Sequence, residues 1–399
     1  MSVTLLKDLQ LDIDQLIARG RFKEFHITNS RSGGEIEIRG RKCIDFTNWD
    51  YLDLNNNRDV KRAIQSCIEQ VGSASPSPRL VAGTSDLHFN AENRIAKFLG
   101  TETALLFHSK NQAVLSLATA LSSERDVWLV EDTVQSPVSD AAYLMNSSVE
   151  SFKDISGLEA GLKKHRSARR KFIYIEALSP LTGALADLTA MVDLSRSFNA
   201  SLLLDESVAI GAIGARGAGG GEFLVEKLRG PLINAAVASC ADLSLGVASF
   251  GAVVAGPKTL IDYVINRSRT VAVDSPLPSY VAAQIVAAID TLELKPLERA
   301  KLATMARTIK GAVKNTILRS PIEAQTPIVS LQFEKLSQAF EMQSALLGKG
   351  IFVEAIPVGT QLSEGGVVRF ILNVNHSEKH MEEVLRVLAE VGSRLDVER

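Results

Sequence analysis

Through the middle of the chain, short unbroken apolar runs alternate with stretches whose apolar positions recur every three or four residues. The runs are TALLF (103–107), VWLV (127–130), KFIYIE (171–176) and ASLLLDE (200–206). Runs of this length predict strands covered on both faces, and the helical spacing between them predicts a mainly parallel α/β sheet. In LTAMVDLSRSFN, the positions Leu188, Val192, Leu194 and Phe198 are apolar at helical spacing, and Asn199 is suited to end the helix. After about residue 285 the pattern becomes a long helix, then PIVSLQF, GIFVEAI and VVRFILNV, then a closing helix from Ser377. That order predicts a smaller α+β domain packed on the larger one. The expected boundaries are 1–45 for an N-terminal helix and strand segment, 46–285 for the large domain and 286–399 for the small one.

Composition narrows the classes. With 399 residues, 46% hydrophobic and 23% charged, the chain is long enough for a sizeable core. A formal net charge of −2 gives no overall attraction to nucleic acid, and the basic run KKHRSARRK (163–171) has no interleaved aromatics, so it reads as a solvated helix end. Cys43, Cys67 and Cys240 are too few and scattered for a disulfide framework or a zinc site, which fits a reducing, cytoplasmic setting. The opening MSVTLLKDLQLDIDQLIARGRFKEF mixes charges with leucines at the spacing of an amphipathic helix rather than a signal peptide, and no apolar run approaches the ~20 residues of a membrane span. GARGAGGGE (214–222) lacks a dinucleotide-loop spacing and is expected to be a flexible surface turn.

From about Asn48 to the closing helix, the motifs resemble, in order, those of the pyridoxal-phosphate-dependent α-oxoamine synthases. NWDYLDL resembles the family's N-x-Y-L-G-L. SPRLVAGTSDLHFNAENRIAKFLG resembles its S-R-x-x-x-G-x-x-x-x-H-x-x-L-E stretch through Arg79, Gly83, His88 and Glu92. LLLDESVAIGAIGARGAGG resembles its L-L-V-D-E-A-H-S-x-G-x-x-G segment. The resemblance implies a fold type I pyridoxal-phosphate-transferase-like large domain with a smaller α+β C-terminal domain. It also implies an activity, joining an acyl-CoA to an amino acid with loss of carbon dioxide.

Against that pattern, several positions differ. The family's T-F-S-K-A-L-G-S-F-G-G, aligned without gaps on DLSLGVASFG, puts Leu245 at the lysine that forms the cofactor Schiff base, next to Ser244. An isobutyl group is neither nucleophile nor base. The histidine that stacks on the pyridine falls on Ser136, and the one that meets the phenolic oxygen falls on Val208. At the phosphate cradle S-G-Y becomes Ser109-Lys110-Asn111, leaving Lys110 as a point charge for an anion. Ser275 matches the hydroxyl supplied across the dimer interface, with Asp274 beside it. Two family groups remain: Asp205, which would pair with the pyridine nitrogen, and Arg369, which would hold a substrate carboxylate. Either is also explicable as a helix cap or a structural ion pair.

The joint loss is most similar to the lysine-less subunit of serine palmitoyltransferase, a likeness sharpened by Thr182-Gly183 and DESVAIG. The chain departs from that subunit in having no anchoring helix ahead of the domain and in keeping Asp205 where the subunit has glutamate. The expectation is a protein with no bound cofactor and no metal, paired as a homodimer or as a heterodimer with a lysine-bearing homologue. An acyl-CoA or acyl carrier protein is the expected further partner. Two alternatives remain open. One is a homodimeric binder of an acyl thioester or other anion, with Lys110, Asp205 and Arg369 as its contacts. The other is a repurposed acyltransferase without pyridoxal phosphate, for which His88, His108, Ser109 and Ser136 are candidates although no G-x-S-x-G elbow supports them.

Overall fold

A computed structural model describes residues 3–18, 22, 25, 27–38, 40–132, 137–228, 237–314, 320, 326–358 and 365–397. After the helix Val3–Ala18 come β1 (Thr28–Ser32), β2 (Glu35–Ile38) and β3 (Arg41–Asp45). The central strands are β4 (Thr103–Phe107), β5 (Val127–Glu131), β6 (Ser148–Phe152), β7 (Lys171–Glu176), β8 (Ser201–Asp205), β9 (Val237–Asp242) and β10 (Ala252–Gly256). Then follow β11 (Ile328–Phe333), β12 (Ile351–Phe352), β13 (Glu354–Pro357) and β14 (Gly366–Ile371).

The central sheet has seven strands in the order β4-β10-β9-β8-β7-β5-β6. All its neighbours pair in parallel except β10, which runs against both β4 and β9. The unbroken apolar runs have a simple cause. Ile173, Ile175, Leu202 and Leu204 enter one buried cluster, while Phe172, Tyr174 and Leu203 enter another, so the sheet is covered on both faces. Every residue of β10 is buried, as its small side chains suggest.

Near the C-terminus, GIFVEAI divides between two sheets. β12 joins β3 in the N-terminal sheet, and β13 joins β14 beside β11. Val353, between them, is 1% exposed and lies in the largest core cluster, which runs from Phe46 to Val391. The long helix is two, Ser279–Glu293 and Pro296–Val313, with proline tolerated at the first turn of the second.

The glycine stretch differs from the expected flexible surface turn. Gly220 begins the helix Gly220–Leu228, and Gly217 to Glu222 are buried. The Glu206 carboxyl oxygens accept the Gly220 and Gly221 amides at 2.7 and 2.6 Å, so the acceptor at this helix start is the chain's own side chain. Among the described residues, no helix is long and apolar enough to cross a membrane.

Candidate functional site

Parallel strands bring their carboxyl ends to one edge, where open α/β sheets carry their ligand groups. Here β5, β7 and β8, neighbours in the sheet, end in Glu131, Glu176 and Asp205, and Glu176 stands opposite Asp205 in the parallel register. Asp205 is 2% exposed. Its Oδ1 accepts the Ser207 amide at 2.9 Å and the Ser207 hydroxyl. Its Oδ2 accepts the Tyr174 hydroxyl at 2.6 Å and Lys110 Nζ at 3.1 Å. Four donors fill the four acceptor positions of a carboxylate.

Lys110 reaches this carboxylate from the first turn of the helix Lys110–Leu121, whose cap is Ser109 Oγ accepting the Gln112 amide at 3.2 Å. Burial works against the Lys110 ammonium, but Asp205, by charge and hydrogen bond, outweighs it and raises the amine above its ordinary range. Glu176 responds in the opposite sense. Burial first, and the Asp205 charge second, push its carboxyl up to about 8, so it is largely protonated at neutral pH. Burial and the neighbouring Asp132 raise Glu131 as well. Buried Cys240, opposite Asp205 on β9, is likewise pushed up by burial.

Leu245 lies in the turn after β9 and packs against the cluster that contains Val208 and Ala209. The register of the turn is fixed by backbone contacts: Ala248 N donates to Leu245 O at 2.9 Å and Ser249 N to Leu243 O at 2.8 Å. A Cβ added at Gly246 would lie 2.0 Å from Ile210 O, so the turn closes against the segment after β8 only with glycine there. Ala248 has φ 50°, a left-handed conformation, at the position where the family pattern carries glycine.

The remaining predicted residues divide. Val208 is buried, and its carbonyl accepts the Tyr51 hydroxyl at 3.0 Å. Ser244 is exposed and donates to Asp242 Oδ1 at 2.6 Å. Asn111 is exposed at the helix start. Ser275 is exposed and lines a small cleft with Arg79, His108 and Gln112. Asp274 beside it is paired, since Gln112 Nε2 donates to its carboxylate at 2.5 Å. Ser136 lies outside the described residues. His88 is a framework residue, with Nε2 2.6 Å from Leu277 O and Nδ1 bonded to Ser85.

Arg369 is engaged within the chain. Its Nη2 donates to Glu354, directly opposite on β13, at 2.5 Å, its Nη1 to Pro180 O at 2.7 Å, and its guanidinium lies 4.7 Å over the Trp49 ring. Its Nε is buried without a partner. Sequence reading missed Glu354, Glu176 and Tyr174. The signal for Glu176 was available: KFIYIE and SLLLD end one above the other once the strands are parallel neighbours.

For a phosphorylated pyridine, the helix start at Ser109–Lys110 and the carboxylate of Asp205 are in place, as in a fold type I site. Leu245 itself offers no amine, and the cation of Lys110 stands on Asp205.

A family profile described as aminotransferase class I and II matches residues 41–388. The 8-amino-7-oxononanoate synthase of Geobacter sulfurreducens is 28% identical over 396 residues, 97% of this chain and 98% of that one. The synthase of the same description from Thermosipho melanesiensis is 27% identical, over 97% of each chain. Among solved structures, serine palmitoyltransferase of Sphingomonas wittichii superposes with a TM-score of 0.87 at 22% identity over 100% of both chains. A lysine-to-alanine variant of serine palmitoyltransferase from S. paucimobilis, with bound PLP–myriocin aldimine, gives the same TM-score, identity and coverage.

These relatives correct one expectation. The expectation of no cofactor, drawn from Leu245, does not stand: members of the family depend on pyridoxal phosphate, and the lysine-to-alanine variant of serine palmitoyltransferase carries it as a myriocin aldimine. The chain belongs to the aminotransferase class I and II family and, within it, fits the α-oxoamine synthases.

Proposed function

We propose that this chain is a supporting subunit of an α-oxoamine synthase: it lacks the lysine that anchors the cofactor and moves protons, and it pairs with a homologue that has it. The observation that carries this reading is Leu245, an isobutyl group where the family motif aligned on Ser244 and SFG has lysine, packed against an apolar cluster in the turn after β9.

Pyridoxal phosphate, when bound, supplies an electron sink for a carbanion at the substrate carbon. In this chain the residues that would hold it are Ser109 at the helix start and Asp205 at the strand end, without a covalent link, and Lys110 already stands on Asp205. Arg369, which suits a substrate carboxylate, already faces the carboxylate of Glu354. Both charged groups expected to meet ligands therefore have partners inside the chain.

An exposed apolar surface supports pairing. Leu80 and Val81 are 57% and 78% exposed on the turn Arg79–Gly83, and Val273, 70% exposed, ends the helix that contacts that turn. Ser275 follows directly. In a soluble protein such neighbouring apolar side chains favour an interface.

The test is turnover. Purified alone and supplied with pyridoxal phosphate, the chain is expected not to condense acyl-CoA with an amino acid across a panel of both, whereas a 1:1 complex with a lysine-bearing homologue condenses them. Turnover by the isolated chain would overturn the proposal.

A further inference from the structure

We infer that Lys110 is the specificity-determining residue of the strand-end site: its ammonium occupies the place at Asp205 that a protonated pyridine nitrogen would take, so a ring must displace it to bind there. The inference rests on the donors that surround Asp205 and not on the presence of a partner.

Each donor on Asp205 carries part of the reasoning. The Ser207 amide and hydroxyl come from the same strand end, two residues on, and that hydroxyl also accepts the Asp242 amide at 2.9 Å. Tyr174 is fully buried in the adjacent strand β7. None of these can leave without disturbing the sheet. Lys110 alone reaches in from a helix start, on a flexible four-carbon stem, and its side chain remains 24% exposed. With all four acceptor positions taken, a ring N–H gains Asp205 only by displacing this ammonium. A second consequence is steric. The stem starts where the family motif has glycine, the residue that lets a ligand approach a helix start closely. One side chain thus replaces both an open approach and a counter-ion.

Displacing Lys110 means breaking a partly buried ion pair and leaving its ammonium to find water or an anion. The undisturbed site accordingly disfavours a cationic ring and tolerates ligands that leave the pair intact. Replacing Lys110 with a neutral or absent side chain returns Asp205 to the ring.

The probe is pyridoxine phosphate, which has the ring nitrogen and phosphate but no aldehyde, so lysine imines cannot confuse the readout. Its affinity is measured by calorimetric titration on the full-length protein and on Lys110→Gly and Lys110→Gln, each checked for folding by circular dichroism. Glutamine leaves a neutral donor on Asp205 and serves where glycine does not fold. At least tenfold tighter binding is expected for either folded variant, and the gain is expected to vanish when Asp205→Asn is added. Binding no tighter than wild type would overturn the inference, and weaker binding would assign Lys110 to the phosphate instead. Neither result depends on whether a lysine-bearing partner exists, so this test and the turnover assay fail separately.

Discussion

At the scale of single residues, the site is defined by what a few positions cannot do. The reading of Leu245 rests on the sequence, where Ser244 and SFG flank it; the structure adds the conformation of its turn. Ala248 holds the left-handed backbone for which the family pattern provides glycine, at a cost of about 1–2 kcal/mol for an L residue. Ala248→Gly removes that strain while loosening the unfolded chain, so a net gain of about 0.5–1 kcal/mol is expected in chemical denaturation. A loss of stability would mean that the turn does not depend on the strained conformation. Lys110 was legible as a charge for an anion, but its partner was not. Lys110 and Asp205 are 95 residues apart, and only the fold brings them to 3.1 Å. Glu354 escaped for a similar reason, since its place opposite Arg369 depends on the β13–β14 register.

At the scale of elements, apolar runs revealed strands wherever both faces are covered. TALLF and KFIYIE match β4 and β7 in full, β5 extends its run by one residue, and β8 is shorter than its run by one residue at each end. The edge strand β6 was missed because SVESF leaves only Phe152 buried. GIFVEAI read as one strand because nothing local marks its transfer between two sheets at Val353. The same strand ends make a pH prediction. Glu176 is raised from 4.5 to about 8, so the native state holds a proton that the unfolded chain releases. Its stabilising contribution is complete below about pH 4.5 and is lost as pH rises through about 8. Glu206, which burial also pushes up to about 8, acts in the same direction, so a comparison is needed to isolate Glu176. Denaturation midpoints of Glu176→Gln are expected to fall less steeply over this range than those of the wild type. Parallel pH profiles would show that Glu176 does not retain its proton in the fold.

At the scale of the whole molecule, the fold type I architecture is intact and the charged groups of its site are turned inward. Lys110 answers Asp205, Glu354 answers Arg369, and Glu206 fills a helix start. The family and fold were readable because framework motifs persist along nearly the whole chain. The state of the cofactor was not, because a leucine at position 245 bears at most on covalent attachment. Under the proposal made above, a second chain supplies the amine that Leu245 does not, and the exposed apolar side chains of Leu80, Val81 and Val273 are the surface proposed for it. The most direct measurement is purification of the tagged protein at native level from its own organism, followed by gel filtration and mass spectrometry of what remains bound. A stoichiometric homologue with lysine at the position of Leu245 is the predicted result. A homodimer alone, active in condensing an acyl-CoA with an amino acid, would contradict it.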